Sequence, residues 1–210
     1  MSVKPRAFQG QYPPRWHSII NSPVGRLYVA ASDNALTGIW YEEQAHFPLP
    51  HELGERIADP AGLVAEADEV AQVIGADAER RGEHIYVAPA RILAQTEREL
   101  DEYFRGRRTD FEVPLDPDGT DFQLAVWDYL KTVPYGYTVT YGEISRMVGP
   151  GAPAQAVGQA VGHNKIAIII PCHRVLGAGG KLTGYAGGLD RKRWLLDREE
   201  PKDIRSGRLF

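Results

Sequence analysis

The segment Ile168 to Leu176, Ile-Ile-Ile-Pro-Cys-His-Arg-Val-Leu, constrains the fold of this chain more than any other stretch. Three β-branched apolar residues in succession predict a buried strand, and Pro171 would end it because proline has no backbone N–H to donate. Cys172, the only cysteine of the chain, follows directly. The sequence therefore predicts a thiol held rigidly at the point where a core strand stops.

Cys172 has two basic residues immediately after it. A cysteine reacts as the thiolate, so a nucleophilic cysteine requires a nearby base or cation. His173 and Arg174 would supply an imidazole and a guanidinium. An isolated Cys-His pair is more often a small buried residue beside a core histidine, so the pair alone does not establish catalysis.

The composition is typical of a globular chain in a reducing compartment. With 210 residues, 43% of them hydrophobic, the chain can form one large domain or two modest ones. Neither a signal peptide nor a run of about 18 apolar residues is apparent, which predicts no membrane span and a cytoplasmic location. A single cysteine cannot form an internal disulfide, so the thiol would stay available for chemistry.

Charge is distributed unevenly along the chain. The net charge is −4, but residues 1–119 hold 12 Lys and Arg against 20 Asp and Glu, whereas residues 120–210 hold 12 against 8. Contacts with the phosphates of a nucleic acid would therefore come from the second part. An ordinary solvated surface with uneven charge would give the same pattern.

Short β-branched runs dominate the amino-terminal part. Trp16 to Ile20, Leu27 to Ala31 and Leu36 to Trp40 are separated by turn-forming residues, which predicts a meander of antiparallel strands. The acidic, alanine-rich region from Glu52 to Glu83 is typical of an insertion made of helix and loop. Pro89 to Phe104 has apolar residues at helical spacing and predicts an amphipathic helix.

A linker separates this part from a helical one. Phe111 to Gly119 contains two prolines and an Asp-Gly pair, and the composition changes there, so we place one domain at residues 1–115 and the other at 116–210. Thr120 is a good N-cap for a helix that ends at Lys131. Tyr141 to Val148 and Ala154 to Val161, joined by a Gly-Pro-Gly turn, predict a helix-turn-helix.

Seven short motifs lie in and around the Cys172 segment. They are Val133-Pro134-Tyr135-Gly136, Thr140-Tyr141-Gly142-Glu143-Ile144, Ala156-Val157-Gly158, Gly162-His163-Asn164, Pro171-Cys172-His173-Arg174-Val175, Gly184-Tyr185-Ala186-Gly187-Gly188 and Trp194-Leu195-Leu196-Asp197-Arg198-Glu199. The order and spacing of these motifs over residues 119–200 resemble those of the O6-alkylguanine-DNA alkyltransferases. Asn21 to Gly25 and Leu36 to Trp40 resemble that family's amino-terminal domain.

The resemblance implies an α+β protein of two domains. The first would be an antiparallel-sheet domain similar to ribonuclease H, and the second a helix-turn-helix, winged-helix-like alkyltransferase domain. It also implies DNA repair by direct transfer of an alkyl group from O6-alkylguanine in double-stranded DNA to Cys172. A thioether is not readily reversed, so each molecule would act once. We also expect a monomer that needs no cofactor.

The resemblance further implies a role for each site residue. The catalytic set is Cys172 as nucleophile and alkyl acceptor, His173 as base through a water molecule, Glu199 as the carboxylate that orients it, Tyr141 as proton donor to the guanine, Lys192 as support and Asn164 as hinge. The base-binding set is Val175, Tyr185, Ala186 and Gly158. The DNA-binding set is Tyr141, Ala154, Gln155, Ala156 and Arg174, with the minor groove as the site of contact. Apart from the family, Glu199 would be an ordinary surface carboxylate and Tyr141 a core aromatic.

Gln155 departs from the family pattern, in which an arginine fills the gap left by an extruded base. Glutamine lacks the charge and the broad plane of a guanidinium, so we expect less efficient base flipping from a duplex. With Cys172 as the only cysteine, a zinc site with several thiolates is excluded. Three alternatives stay open: a lesion-binding relative with weak or no repair, a helix-turn-helix transcription regulator, and a cysteine hydrolase that turns over repeatedly.

Overall fold

A computed structural model describes residues 15–74, 86–149 and 151–200. The amino-terminal part contains strands β1 (Trp16–Ser22), β2 (Gly25–Ala31), β3 (Leu36–Tyr41) and β4 (Glu55–Arg56) and helices α1 (Pro50–Leu53), α2 (Pro60–Ile74) and α3 (Val87–Phe104). The carboxy-terminal part contains α4 (Asp121–Lys131), β5 (Val139–Thr140), α5 (Tyr141–Val148), α6 (Ala154–Gly162), β6 (Val175–Leu176) and α7 (Leu189–Glu199). Among the helices in the described ranges, none is long and apolar enough to cross a bilayer.

The first three strands form the predicted antiparallel meander. They lie in the order β3-β2-β1-β4, and β4 joins β1 in parallel, so the sheet is mixed. Strand β4 and helix α2 both fall within the stretch 52–83, for which the sequence predicted only helix and loop. Helix α2 packs on α3, and α3 packs on the sheet, so this stretch is integrated into the domain. Residues 75–83 of it lie outside the described part of the chain.

Side-chain alternation explains how the sheet buries one face. In β1, Trp16, Ser18 and Ile20 are buried while the intervening residues are partly exposed. All six residues of β3 are buried because both faces of this strand are covered. A Cβ at Gly38 would lie 1.7 Å from the indole of Trp40, so only glycine fits beneath that ring.

The first helix of the predicted helix-turn-helix, α5, and the helix before it, α4, both begin with a side-chain cap. Thr120 and Thr140 each accept a hydrogen bond from the backbone three residues on, and a glutamine or glutamate side chain returns the bond, which fixes the starts of α4 and α5. Helix α4 packs against α5 and α6. The indole N–H of Trp127 donates to the carbonyl of Ala160 at 2.8 Å and thereby ties α4 to the second helix of the motif.

The predicted strand at Ile168 to Ile170 is wrong. These residues form consecutive turns, and Ile168 has a φ of 73°, which a β-branched residue seldom adopts. The N–H of Ile170 bonds to the carbonyl of Ile166 at 3.0 Å, so the chain folds back on itself. All three isoleucines are nonetheless buried. A short apolar run reports burial, and periodicity alone does not tell a strand from another buried segment.

The outer edge of β3 holds both the linker and the segment that leads to Cys172. The N–H of Leu36 donates to the carbonyl of Pro114, and the N–H of Ile39 donates to the carbonyl of Lys165, each at 2.8 Å. Both neighbours run parallel to β3 as single bridges. The sheet edge is thus paired, and the amino-terminal domain holds the cysteine segment through main-chain bonds.

Candidate active site

Cys172 begins a 3₁₀ turn, Cys172–Arg174, that lies deep in the protein. Only 6% of the residue is exposed. Burial raises the pKa of the thiol, and the hydrogen bond from Asn164 together with the positive charge of Lys192 opposes this only in part. The group is therefore a neutral thiol at pH 7 and needs a base before it can act as a nucleophile.

Asn164 fixes the thiol and the turns before it. Its amide nitrogen lies 3.0 Å from Sγ of Cys172 and 2.8 Å from the carbonyl oxygen of Ile170. Its carbonyl oxygen accepts the N–H of Ile166 at 3.1 Å. The side chain follows directly on helix α6 and its C-cap residue, so it links the helix-turn-helix to the sulfur of Cys172.

His173 and Glu199 form a fully buried pair. Nε2 of His173 lies 2.8 Å from Oε1 of Glu199, the last residue of α7. Burial raises the pKa of Glu199, but the bonds and charges of His173 and Arg174 outweigh it and hold that pKa well below its usual range. Burial lowers the pKa of His173, against the opposing effect of Glu199. The histidine is therefore neutral at pH 7.

The carboxylate also determines which histidine nitrogen is basic. An ionised carboxylate only accepts hydrogen bonds, so Nε2 of His173 must carry the hydrogen. Nδ1 then holds the free lone pair. This atom is buried and has no hydrogen-bond partner among the described residues. The pair thus presents an oriented base, which is the chemistry that a buried thiol requires.

Arg174 supports Glu199. Its Nε and Nη2 donate to the two carboxylate oxygens at 2.8 and 2.9 Å, and its Nη1 donates to the carbonyl of Val133. The side chain is 7% exposed. The predicted contact of Arg174 with DNA is wrong for this structure, because a bidentate bond inside the protein uses the guanidinium.

Lys192 is a buried cation that anchors the loop before α7. Its Nζ donates to the carbonyls of Val175, Thr183 and Gly184 at 2.6, 2.7 and 3.2 Å, so its three hydrogens are all used. The residue is 0% exposed, and burial lowers its pKa to about 8. Lys192 therefore fixes the distance between the strand after the cysteine turn and the loop that carries Tyr185.

Tyr141 stands at the start of α5, next to the second helix of the motif. It is half-buried, and burial raises its pKa, so its hydroxyl is a protonated donor at neutral pH. A Cβ at Gly158 of α6 would lie 3.8 Å from the tyrosine ring. Gly158 is therefore a neighbour of this ring in the helix-turn-helix.

Tyr185 and Ala186 are partly buried and lie against the amino-terminal domain. The hydroxyl of Tyr185 lies 2.8 Å from that of Tyr41, and Ala186 accepts the N–H of Ala45 at 3.1 Å. A Cβ at Gly187 would come within 2.9 Å of both tyrosine rings, so glycine is needed between them.

The exposed end of α6 carries the remaining predicted contacts. Ala154 and Gln155 are exposed and Ala156 is half-buried, all in the first turn of the helix. Small side chains there let another molecule approach the backbone closely. Among the described residues, no group of three or more His, Cys, Asp and Glu side chains could hold a metal ion.

Comparisons with known proteins show the family to which this chain belongs. Residues 121–201 match the family model described as the DNA binding domain of 6-O-methylguanine DNA methyltransferase, and residues 64–117 match its ribonuclease-like domain. A methylated-DNA–protein-cysteine methyltransferase from Mycobacterium leprae is 51% identical over 191 residues, which are 91% of this chain and 96% of that protein. The chain belongs to the 6-O-methylguanine DNA methyltransferase family.

Other relatives of this methyltransferase family extend the comparison. The protein of the same name from Mycobacterium bovis is 40% identical over 183 residues, 87% of this chain and 91% of that protein. The crystal structure of Mycobacterium tuberculosis OGT in complex with DNA has 40% identity and a TM-score of 0.67, and it covers 90% of this chain and 97% of that one. The predicted family and the two-domain α+β fold are confirmed.

The structure brings most predicted residues of this family member into one region, but the sequence missed others. Cys172, His173, Glu199, Lys192 and Asn164 share direct hydrogen bonds or neighbouring turns. Tyr103 and Tyr41 were not predicted at the site, yet their hydroxyls bond to Glu199 and Tyr185. The only sequence signal is that a buried tyrosine hydroxyl usually has a partner, which does not say which partner.

Proposed function

We propose that this protein repairs DNA by transferring one alkyl group from O6-alkylguanine to Cys172, once per molecule. The observation that carries this proposal is that His173, which directly follows the only thiol of the chain, forms a buried pair with Glu199. A neutral thiol with a raised pKa needs such a base, and the free lone pair on Nδ1 of His173 provides it. No cofactor takes part.

The reaction is a displacement at the saturated carbon of the alkyl group. The thiol proton passes through one water molecule to Nδ1 of His173, while Glu199 stabilises the imidazolium that results. Sγ bonds to the alkyl carbon, and the carbon–O6 bond breaks with its electron pair going to O6. Tyr141 donates its hydroxyl hydrogen to a ring nitrogen of the leaving guanine, so the base does not depart as a bare anion.

The pocket that holds the base is built from both sides of the cysteine turn. Tyr185 covers the base, and Ala186 offers its N–H to O6. The carbonyls of Cys172 and Val175 accept the exocyclic amine with their second lone pairs, since one lone pair of each is already used. Lys192 and Asn164 keep these groups at fixed positions.

The damaged nucleotide must leave the duplex to reach a buried thiol, which costs a few kcal/mol. We assign this step to the exposed first turn of α6, with Ala154, Gln155 and Ala156 in the minor groove. The positive balance of charge after residue 119 supports binding on this side. The protein acts as a monomer in the cytoplasm, and its two domains divide at residues 115 and 116.

Titration of the protein with a duplex that carries one O6-methylguanine tests this function. We expect restored guanine to rise in proportion to protein and to stop at one per molecule. Repeated turnover would favour a hydrolase instead. Tight binding without restored guanine would favour the lesion-binding alternative, to which Gln155 lends some support. If the protein binds undamaged DNA of one particular sequence as tightly as the damaged duplex, it is better explained as a transcription regulator.

A further inference from the structure

We propose that Tyr103, which belongs to the amino-terminal domain, is a positioning residue for the His173–Glu199 base. Its hydroxyl donates to Oε1 of Glu199 at 2.8 Å, across 96 positions of sequence. The residue is 0% exposed. This inference rests on the proposed function, because it assigns a role within the proton transfer from Cys172.

The Tyr103 hydroxyl bonds to the same oxygen of Glu199 that orients the imidazole of His173. Oε1 of Glu199 accepts from Nε2 of His173 at 2.8 Å, from Tyr103 at 2.8 Å and from Arg174 at 2.9 Å, while Oε2 accepts from Arg174 and the N–H of Gly136. Tyr103 and His173 thus share one acceptor atom. A change in the donor from Tyr103 alters both the direction and the basicity of the oxygen that orients the imidazole.

Packing alone does not explain the hydroxyl. The Tyr103 ring contacts the rings of Phe104, Phe111 and Tyr135 at centroid distances of 5.5 to 6.2 Å, and a phenylalanine would make the same contacts. Burial raises the pKa of Tyr103 well above its usual value, so the hydroxyl stays protonated and can only donate to the carboxylate. Through this bond α3 acts on a base that stands in the other domain.

Other charged and titratable groups around the pair must be considered in any pH test. Arg174 faces it from the 3₁₀ turn, Lys192 from α7 and Tyr103 from α3, and Tyr41 of β3 lies near Tyr103. Tyr103→Phe leaves the others in place. Without this donor, Glu199 is a stronger acceptor and favours the imidazolium form of His173, so the pKa of His173 rises.

The test compares Tyr103→Phe with Tyr86→Phe. Tyr86 also donates a hydroxyl to a carboxylate of the same domain, Glu55, at 3.2 Å, but on the exposed surface. Both variants react with free O6-benzylguanine, and the rate of Cys172 alkylation is followed by intact mass between about pH 5 and 8.5. Because Glu199 and the imidazole are less well oriented without this bond, we expect a rate for Tyr103→Phe about tenfold lower at pH 7.5. Because the pKa of His173 rises, we expect the acid-side inflection at higher pH. Tyr86→Phe should match the parent.

A second variant covers the case in which Tyr103→Phe is too unstable to assay. Incorporation of 3-fluorotyrosine at position 103 keeps the size of the side chain and makes the hydroxyl a stronger donor, so the inflection should move to lower pH. If either variant keeps the parent's rate and inflection, Tyr103 is a core residue and the inference fails. If Cys172 of the parent is alkylated neither by the free base nor by a duplex that carries O6-methylguanine, the proposed function fails instead.

Discussion

Replacement of Asn164 by alanine should lower the stability and the reactivity of the protein together. The side chain is the only partner of the Ile166 N–H among the described residues, whereas the carbonyls of Ile166 and Ile170 keep the N–H groups of Ile170 and Cys172. One buried main-chain donor therefore loses its partner, at about 1 to 3 kcal/mol. The bonds to the two carbonyls, which help to hold Ile168 at its positive φ, are lost as well, so we expect a total loss of about 3 kcal/mol.

For a chain of this size, about 3 kcal/mol corresponds to a fall in Tm of roughly 6 to 12 °C. Sγ of Cys172 also loses the hydrogen bond that lowers its pKa, so the pKa rises further and alkylation slows. Thermal unfolding followed by circular dichroism and the rate with free O6-benzylguanine measure the two effects. Asn34→Ala, in an exposed turn, is the control. A Tm within about 2 °C of the parent would refute the reasoning.

Three further changes test other parts of the site. Gln155→Arg should raise the rate on duplex DNA by about three- to tenfold and leave the rate with the free base unchanged, because only duplex substrate requires flipping; equal duplex rates would contradict this. Tyr41→Phe removes the hydroxyl partner of Tyr185 and should weaken binding of free O6-benzylguanine by about 1 kcal/mol, which raises the half-saturating concentration about fivefold. An unchanged half-saturating concentration would show that the hydroxyl is dispensable. The neutral form of His173 is the general base, and its pKa lies below the ordinary 6.5. The rate with free O6-benzylguanine should therefore be level above pH 7 and decline only at lower pH. A rate that is already halved at pH 7.5 would contradict that assignment.

Local patterns were enough to predict much of the fold. Thr120 and the apolar spacing after it placed α4, and alternation with turn residues placed the first three strands, because caps and periodicity act within a few residues. The helix-turn-helix followed from the same local signals. The site around Cys172 was predicted from the resemblance to a known family, whose motifs have fixed spacing.

The features that could not be predicted from the sequence depend on contacts between distant residues. Ile168 and its neighbours are buried in turns because Asn164 and the edge of β3 bond the chain there, and no periodic pattern records this. Arg174 carries a charge that suits phosphates, yet Glu199 lies close enough to use it. Tyr103 is separated from Glu199 by 96 positions, so its bond is visible only in three dimensions.

The most direct measurement of the central claim is the mass of the peptide that contains Cys172. The protein is mixed with an equimolar duplex that carries one O6-methylguanine, digested and analysed by mass spectrometry, with Cys172→Ala as the control. The account predicts one added methyl group on the Cys172 peptide of the parent and none on the variant. An unmodified Cys172 after complete binding of the duplex would contradict it.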